Sequence, residues 1–202
     1  MSVRHRLPRR IGIFGGTFDP PHVGHLIAAI DARDALELDV VIVMVANVPW
    51  QKIGARQISP AADRRALVAA AVSGVPGLEV GDHEIRRGGP SYTADTIAEL
   101  HESSPDDALF VILGADAAAG FTTWERYEEV AARAELVVVD RPGPAPSLDA
   151  RFSWTRVDIP ELEVSSTELR QRVAAGRSIT FLTPPAVVTC ISERGLYSSP
   201  DD

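Results

Sequence analysis

Residues 15 to 25 read Gly-Gly-Thr-Phe-Asp-Pro-Pro-His-Val-Gly-His. They follow a short apolar run, Ile11 to Phe14, and lead into a segment of helical periodicity. Two glycines after a strand let the backbone come close to a ligand. His22 and His25, three apart at a helix start, share one face. A helix start offers unpaired N–H groups and a positive dipole end. Two imidazoles added there make a compact set of donors for phosphate oxygens. The spacing is neither the dinucleotide fingerprint G-x-G-x-x-G nor a Walker loop with its Gly-Lys-Ser/Thr. A metal site on the two histidines lacks an evident third ligand, and hard Mg²⁺ prefers oxygen. Helix capping suits a lone histidine better than this pair.

A second group, Ser165-Ser166-Thr167-Glu168-Leu169-Arg170, precedes another helical pattern. Read alone, it is an N-cap with Glu168 in the first turn. Read for chemistry, Arg170 is a planar fork that matches pyrophosphate oxygens. Two anion-ready helix starts in one chain are a more specific signal than either alone.

These motifs need elements to hold them. Short apolar strands at Ile11 to Phe14, Asp39 to Ala46, Leu78 to Val80, Ala108 to Leu113 and Leu136 to Val139 alternate with helical segments. The helices are expected near 23 to 36, from Ser59 (N-cap) and Pro60 (first turn) to about Gly74, and at 92 to 102 with Ser91 or Thr93 as cap. Three more are expected at 126 to 134, 166 to 175 and 184 to 193. Phe152 to Ile159 alternates like an edge strand. This order predicts an α/β chain with a doubly wound, mostly parallel sheet. Ligands of such sheets sit beyond the carboxyl ends of the strands. Gly15-Gly16, Gly114-Ala115-Asp116 and Arg141-Pro142-Gly143 lie at such ends. One domain over 1–202 is expected, with a basic tail at 1–9 and a short tail at 198–202.

Composition narrows the partners. The net charge of −8 disfavours broad nucleic-acid binding, although local positive potential can still hold phosphates. One cysteine, Cys190, excludes an internal disulfide and a cysteine-based zinc site, and fits a reducing cytoplasm. The first ten residues carry four Arg and no apolar core, unlike a secretory signal. No apolar run approaches the ~20 residues of a membrane span. Of 20 basic residues, 19 are Arg and one, Lys52, is Lys. Codon drift in a GC-rich genome produces such a ratio.

Gly15 to His25 resembles the H-x-G-H signature of the nucleotidyltransferase superfamily, and Ser165 to Arg170 resembles its S-S-T-x-[IVL]-R signature. The resemblance implies a Rossmann-like nucleotidyltransferase fold. It also implies donors (Gly15, Gly16, Thr17, His22, His25) at the α-phosphate of a nucleoside triphosphate, with no covalent enzyme intermediate. Ser165, Ser166 and Arg170 would hold the outer phosphates. Between the signatures, Ser91-Tyr92-Thr93-Ala94-Asp95-Thr96, Gly114-Ala115-Asp116 and Thr123-Trp124 look like the bacterial nicotinate mononucleotide adenylyltransferases, in the same order over about Ile11 to Tyr197. That family implies ATP, with its Mg²⁺, and nicotinate mononucleotide as partners. Gly114 and Asp116 would serve the ATP side. Backbone amides near Thr93 and Glu125 and the face of Trp124 would serve the nicotinate. Trp124 is equally readable as a core anchor, and Trp50 as a wall of the acceptor site or its shield. A related phosphopantetheine adenylyltransferase and a nucleotide-sensing module without turnover are the alternatives. Both lack support from the Tyr-Thr-x-Asp-Thr and Thr-Trp features or from the intact histidines. The edge at 152 to 159 and the Pro-rich loop leave room for an interface between copies of the chain.

The family usually carries Pro-Pro-His-Lys where this chain has Pro49-Trp50-Gln51-Lys52. Lys52, a compact ammonium on a flexible stem, is assigned to ATP phosphate binding. Lys52→Arg is expected to raise the KM for ATP or lower kcat in steady-state kinetics. Unchanged constants would make Lys52 an accident of composition.

Overall fold

Six segments of four to seven residues form strands, and Val40–Val45, Ala108–Gly114 and Glu135–Asp140 among them are rich in the Val and Ile that strands favour. The computed structural model describes residues 7–49, 58–140 and 146–198. The strands are β1 (Arg10–Gly16), β2 (Val40–Val45), β3 (Leu78–Gly81), β4 (Ala108–Gly114), β5 (Glu135–Asp140) and β6 (Trp154–Asp158). They pair in the order β3-β2-β1-β4-β5-β6, and every neighbouring pair is parallel. The alternating segment at 152 to 159 supplies the edge strand β6, as its pattern predicts.

Both faces of the sheet are covered, and the period-2 rule sorts the side chains. Phe14, Val41, Val43, Phe110, Ile112, Val137 and Val139 pack on one face with α1 (Val23–Ala35) and α2 (Ala61–Val72). Ile13, Val40, Met44, Val111, Leu113, Leu136 and Val138 pack on the other, with α4 (Thr93–Ser103), α5 (Ala115–Ala119) and α6 (Tyr127–Arg133). The short α3 (His83–Arg87) follows β3. The buried side of α1 is Ala28, Ala29 and Ala32, small enough to let the helix lie close to the sheet. A third cluster joins Leu67 and Ala71 of α2 to Leu169 of α7 (Ser166–Ala174), Val187 and Ile191 of α8 (Pro185–Arg194), and Tyr197.

The connections step one way from β1 through β2 to β3, and the other way from β4 to β6. The reversal falls between β1 and β4, where a crevice opens beyond the carboxyl ends of the strands. Gly15-Gly16 and Gly114-Ala115-Asp116 flank it, as expected. Arg141-Pro142-Gly143 lies outside the described residues.

Two helix starts differ from the sequence reading. Pro60, not Ser59, is the N-cap of α2, with an extended ψ of 142°. Tyr92, not Ser91 or Thr93, is the N-cap of α4, and its side chain makes no capping bond. In both, backbone conformation decides the start where side-chain capping was expected. The two short helices α3 and α5 were not expected, since five residues carry too little periodicity to register.

Candidate active site

A cavity of about 500 Å³ opens at the β1/β4 crevice. Gly15, Gly16 and Thr17 line it from β1, and Gly114 and Asp116 from the end of β4. Tyr92 and Thr93 line it from the start of α4, and Trp124 and Glu125 from the approach to α6. A Cβ built on Gly15 or Gly114 meets no atom within 4 Å, so the room a side chain would take is left to a ligand. At Gly16 a Cβ would stand 2.7 Å from the ring of Phe18, which turns back beneath it with φ +50°. Of the residues expected to act on nucleotide or acceptor, Gly15, Gly16, Thr17, Thr93, Gly114, Asp116, Trp124 and Glu125 therefore share one cavity. Lys52 and Trp50 lie outside the described residues.

His22, His25, Ser165, Ser166 and Arg170 form an adjoining group around residues 19 to 21. His22 is the N-cap of α1 and His25 its third residue. The backbone N–H of His22 donates to His25 Nδ1 at 3.2 Å, and the two rings stack with centroids 3.7 Å apart. Because His25 Nδ1 accepts, the neutral ring is assigned its proton on Nε2, which makes that atom a donor. Phe18 meets the His25 ring edge-on at 5.0 Å. A Cβ at Gly24 would come within 3.1 Å of the His22 ring and 3.3 Å of Val164, so a larger residue between the histidines would push these side chains by a few tenths of an ångström.

The second motif touches the first. Arg170 Nη1 donates to the Asp19 carbonyl at 2.7 Å, and its Nη2 to Thr167 Oγ1 at 3.1 Å. Ser166 Oγ donates to the Pro20 carbonyl at 2.8 Å, and Thr183 Oγ1 to the Pro21 carbonyl at 2.8 Å. Ser165 caps α7 by accepting the Glu168 N–H. The Tyr197 hydroxyl donates to Asp19 Oδ1 at 2.7 Å. Burial, and then the Asp19 carboxylate, push the Tyr197 phenol far above its usual range, so it stays a donor. Arg170 thus organises the first loop, in addition to any part it takes with phosphates.

Arg64 was not singled out from sequence. It is 1% exposed. Its Nε donates to the Ser59 carbonyl at 2.8 Å, Nη1 to those of Thr17 (3.0 Å) and Ala46 (2.6 Å), and Nη2 to that of Asn47 (2.8 Å). The signal was present: positions 64, 67, 68, 71 and 72 form the buried stripe of α2, and Arg64 stands on it. Glu84, also missed, lines the cavity and is buried. Burial pushes its carboxyl above the usual range, against hydrogen bonds from Ser91 and Thr96 and the charge of Arg87. Among the described residues lining the cavity, Glu84, Asp116 and Glu125 are acidic and none is basic.

The model of the Cytidylyltransferase-like family matches residues 13–172. A protein of Exiguobacterium sibiricum named "Probable nicotinate-nucleotide adenylyltransferase" is 43% identical over 190 residues, covering 94% of this chain and 100% of that one. One of the same name from Saccharopolyspora erythraea is 40% identical over 196 residues, covering 96% and 92%. The solved structure of Plasmodium falciparum nicotinic acid mononucleotide adenylyltransferase complexed with NaAD has the same fold. Its TM-score is 0.74 at 16% identity, over 94% of this chain and 98% of that one.

Arg64→Met takes a donor from four carbonyls, one buried and three partly buried. It is expected to lower stability by about 3–5 kcal/mol, read as the urea midpoint, with Arg64→Lys between it and the parent. Parental stability in Arg64→Met would remove the clamp.

Proposed function

This chain belongs to the Cytidylyltransferase-like family and, within it, to the nicotinate-nucleotide adenylyltransferases, and on that premise we propose how it works. It transfers the adenylyl group of ATP to the 5′-phosphate of nicotinate mononucleotide. A phosphate oxygen of the acceptor attacks the α-phosphorus, the bond from that phosphorus to the bridging oxygen breaks, and pyrophosphate leaves. The product is nicotinate adenine dinucleotide, the precursor form in NAD biosynthesis. The observation that carries this reading is the contact of the two motifs, Arg170 and Ser166 on the Asp19-Pro20 carbonyls, beside a cavity of acceptor size.

Each group has a task that its position supports. Donors on His22 and His25, with the Gly15 to Thr17 backbone, meet charge that grows at the α-phosphate. Ser165, Ser166 and the Arg170 guanidinium face the leaving pyrophosphate at the start of α7. Gly114 leaves room for the nucleoside, and Asp116 accepts from ribose hydroxyls. In α4 the N–H groups of Asp95 and Thr96 go to the Tyr92 carbonyl, which leaves those of Thr93 and Ala94 without an intrahelical acceptor. These, with the amide at Glu125, take the nicotinate carboxylate, and Trp124 offers its face to the pyridine ring. The rate comes from positioning and fixed dipoles, with no bond to the enzyme. Mg²⁺ enters as part of the ATP substrate, held by phosphates and water. The described residues hold no cluster of three His, Cys, Asp or Glu suited to a metal ion. No described helix is long and apolar enough to cross a membrane. The same reading puts the reaction in the cytoplasm, and the single Cys190, which admits no internal disulfide, supports it.

Pyrophosphate release from ATP is the assay, with nicotinate mononucleotide, nicotinamide mononucleotide and phosphopantetheine offered in parallel. The nicotinate acceptor is expected to be fastest, and His25→Ala to lose ~10²–10³ in kcat while keeping its unfolding midpoint. Faster turnover of another acceptor, or near-normal kcat in His25→Ala, would sink the assignment.

A further inference from the structure

The cavity offers an anionic acceptor no basic side chain among its described lining residues, and three acidic ones. The N–H groups at the start of α4 are the donors this lining offers a carboxylate, and they need accurate aim, because two parallel N–H bonds tolerate little rotation. Tyr92, the N-cap, does not aim them with its side chain. Something else must.

Glu84 is placed to do so. Thr96 Oγ1 donates to Glu84 Oε1 at 3.1 Å. Thr96 closes the first turn of α4, so the buried carboxylate is bonded to the turn that presents the N–H groups. Thr96 Oγ1 also accepts from Arg87 Nη2 at 2.8 Å, so its proton is left for Glu84. Just before the turn, Ser91 Oγ accepts from the Asn47 N–H at 2.7 Å. On the far side, Asp95 pairs with Arg126, next to Trp124 and Glu125.

We propose that Glu84, acting through Thr96, is a positioning residue that sets the enzyme's selectivity for an acceptor bearing a carboxylate. The inference rests on the adenylyl-transfer reading above. A carboxylate accepts at both oxygens and needs both N–H groups in register. A carboxamide presents one acceptor and its own donor, and loses less when the turn rotates. The selectivity is therefore exerted from α3, outside both signature motifs.

The test is steady-state kinetics of Glu84→Gln, Thr96→Val and Thr96→Ser with each mononucleotide and with ATP. Glu84→Gln and Thr96→Val are expected to raise the KM for nicotinate mononucleotide about tenfold, with kcat changed far less and the KM for ATP unmoved. The ratio of kcat/KM between nicotinate and nicotinamide acceptors should fall, and Thr96→Ser, which keeps the hydroxyl, should retain it. An unmoved acceptor KM in both disrupting variants overturns the inference. So does an equal loss with both acceptors and ATP, or failure of Thr96→Ser to differ from Thr96→Val. If the parental enzyme does not turn over nicotinate mononucleotide, the earlier reading fails. If it does while the variants show no shift in selectivity, this one fails.

Discussion

A buried guanidinium sets the floor of the site. Arg64 brings together four carbonyls from separate parts of the chain: Thr17 beyond β1, Ala46 and Asn47 beyond β2, and Ser59 before α2. A charge taken out of water at this depth is tolerable when its hydrogen bonds are met, and the fork geometry meets them at three nitrogens. The contacts spread from there. Asn47, held by its carbonyl, gives its N–H to Ser91 Oγ, one residue before the N-cap of α4. Thr17, held by its carbonyl, leads into the Phe18-Asp19 turn and the histidines. Acceptor side and phosphate side are thus referred to one side chain.

The sheet supplies what a single side chain cannot. Reversal of strand order between β1 and β4 opens the crevice, and the parallel strands bring β1 and β4 to an end on the same side. The helix starts then differ in a way that suits their neighbours. At the start of α7 the Ser165 side chain closes one N–H, that of Glu168. α4 and α5, which border the cavity, begin without a side-chain cap. N–H groups left open at a helix start are available to a bound anion.

Much of this was legible because it depends on period and on punctuation. Short apolar runs alternating with helical segments point to the sheet, and His-x-Gly-His behind Gly-Gly-Thr marks the expected phosphate site. What escaped depends on partners remote in sequence. Arg64 looks like one more surface arginine until its register on α2 is counted against Leu67, Val68, Ala71 and Val72. Asp19 looks like a turn residue, yet it is 1% exposed and bonded to Tyr197. α3, with the sequence His-Glu-Ile-Arg-Arg, is too short and polar to announce itself, and so Glu84 went unread. Where tertiary bonds replaced local ones, at the starts of α2 and α4, propensity named the wrong cap.

The Asp19–Pro21 loop also has a place in the life history of the chain. Its partners Arg170, Thr183 and Tyr197 lie 151, 162 and 178 residues downstream of the groups they bind. Synthesis runs from the N-terminus, so the loop emerges early and the residues that hold it emerge late. A nascent chain that has made β1 through β6 has its sheet, but its histidine loop still lacks the bonds from Arg170, Thr183 and Tyr197. A chain that stops short of Arg170 would carry both histidines and yet lack the side chains that fix the carbonyls just ahead of them.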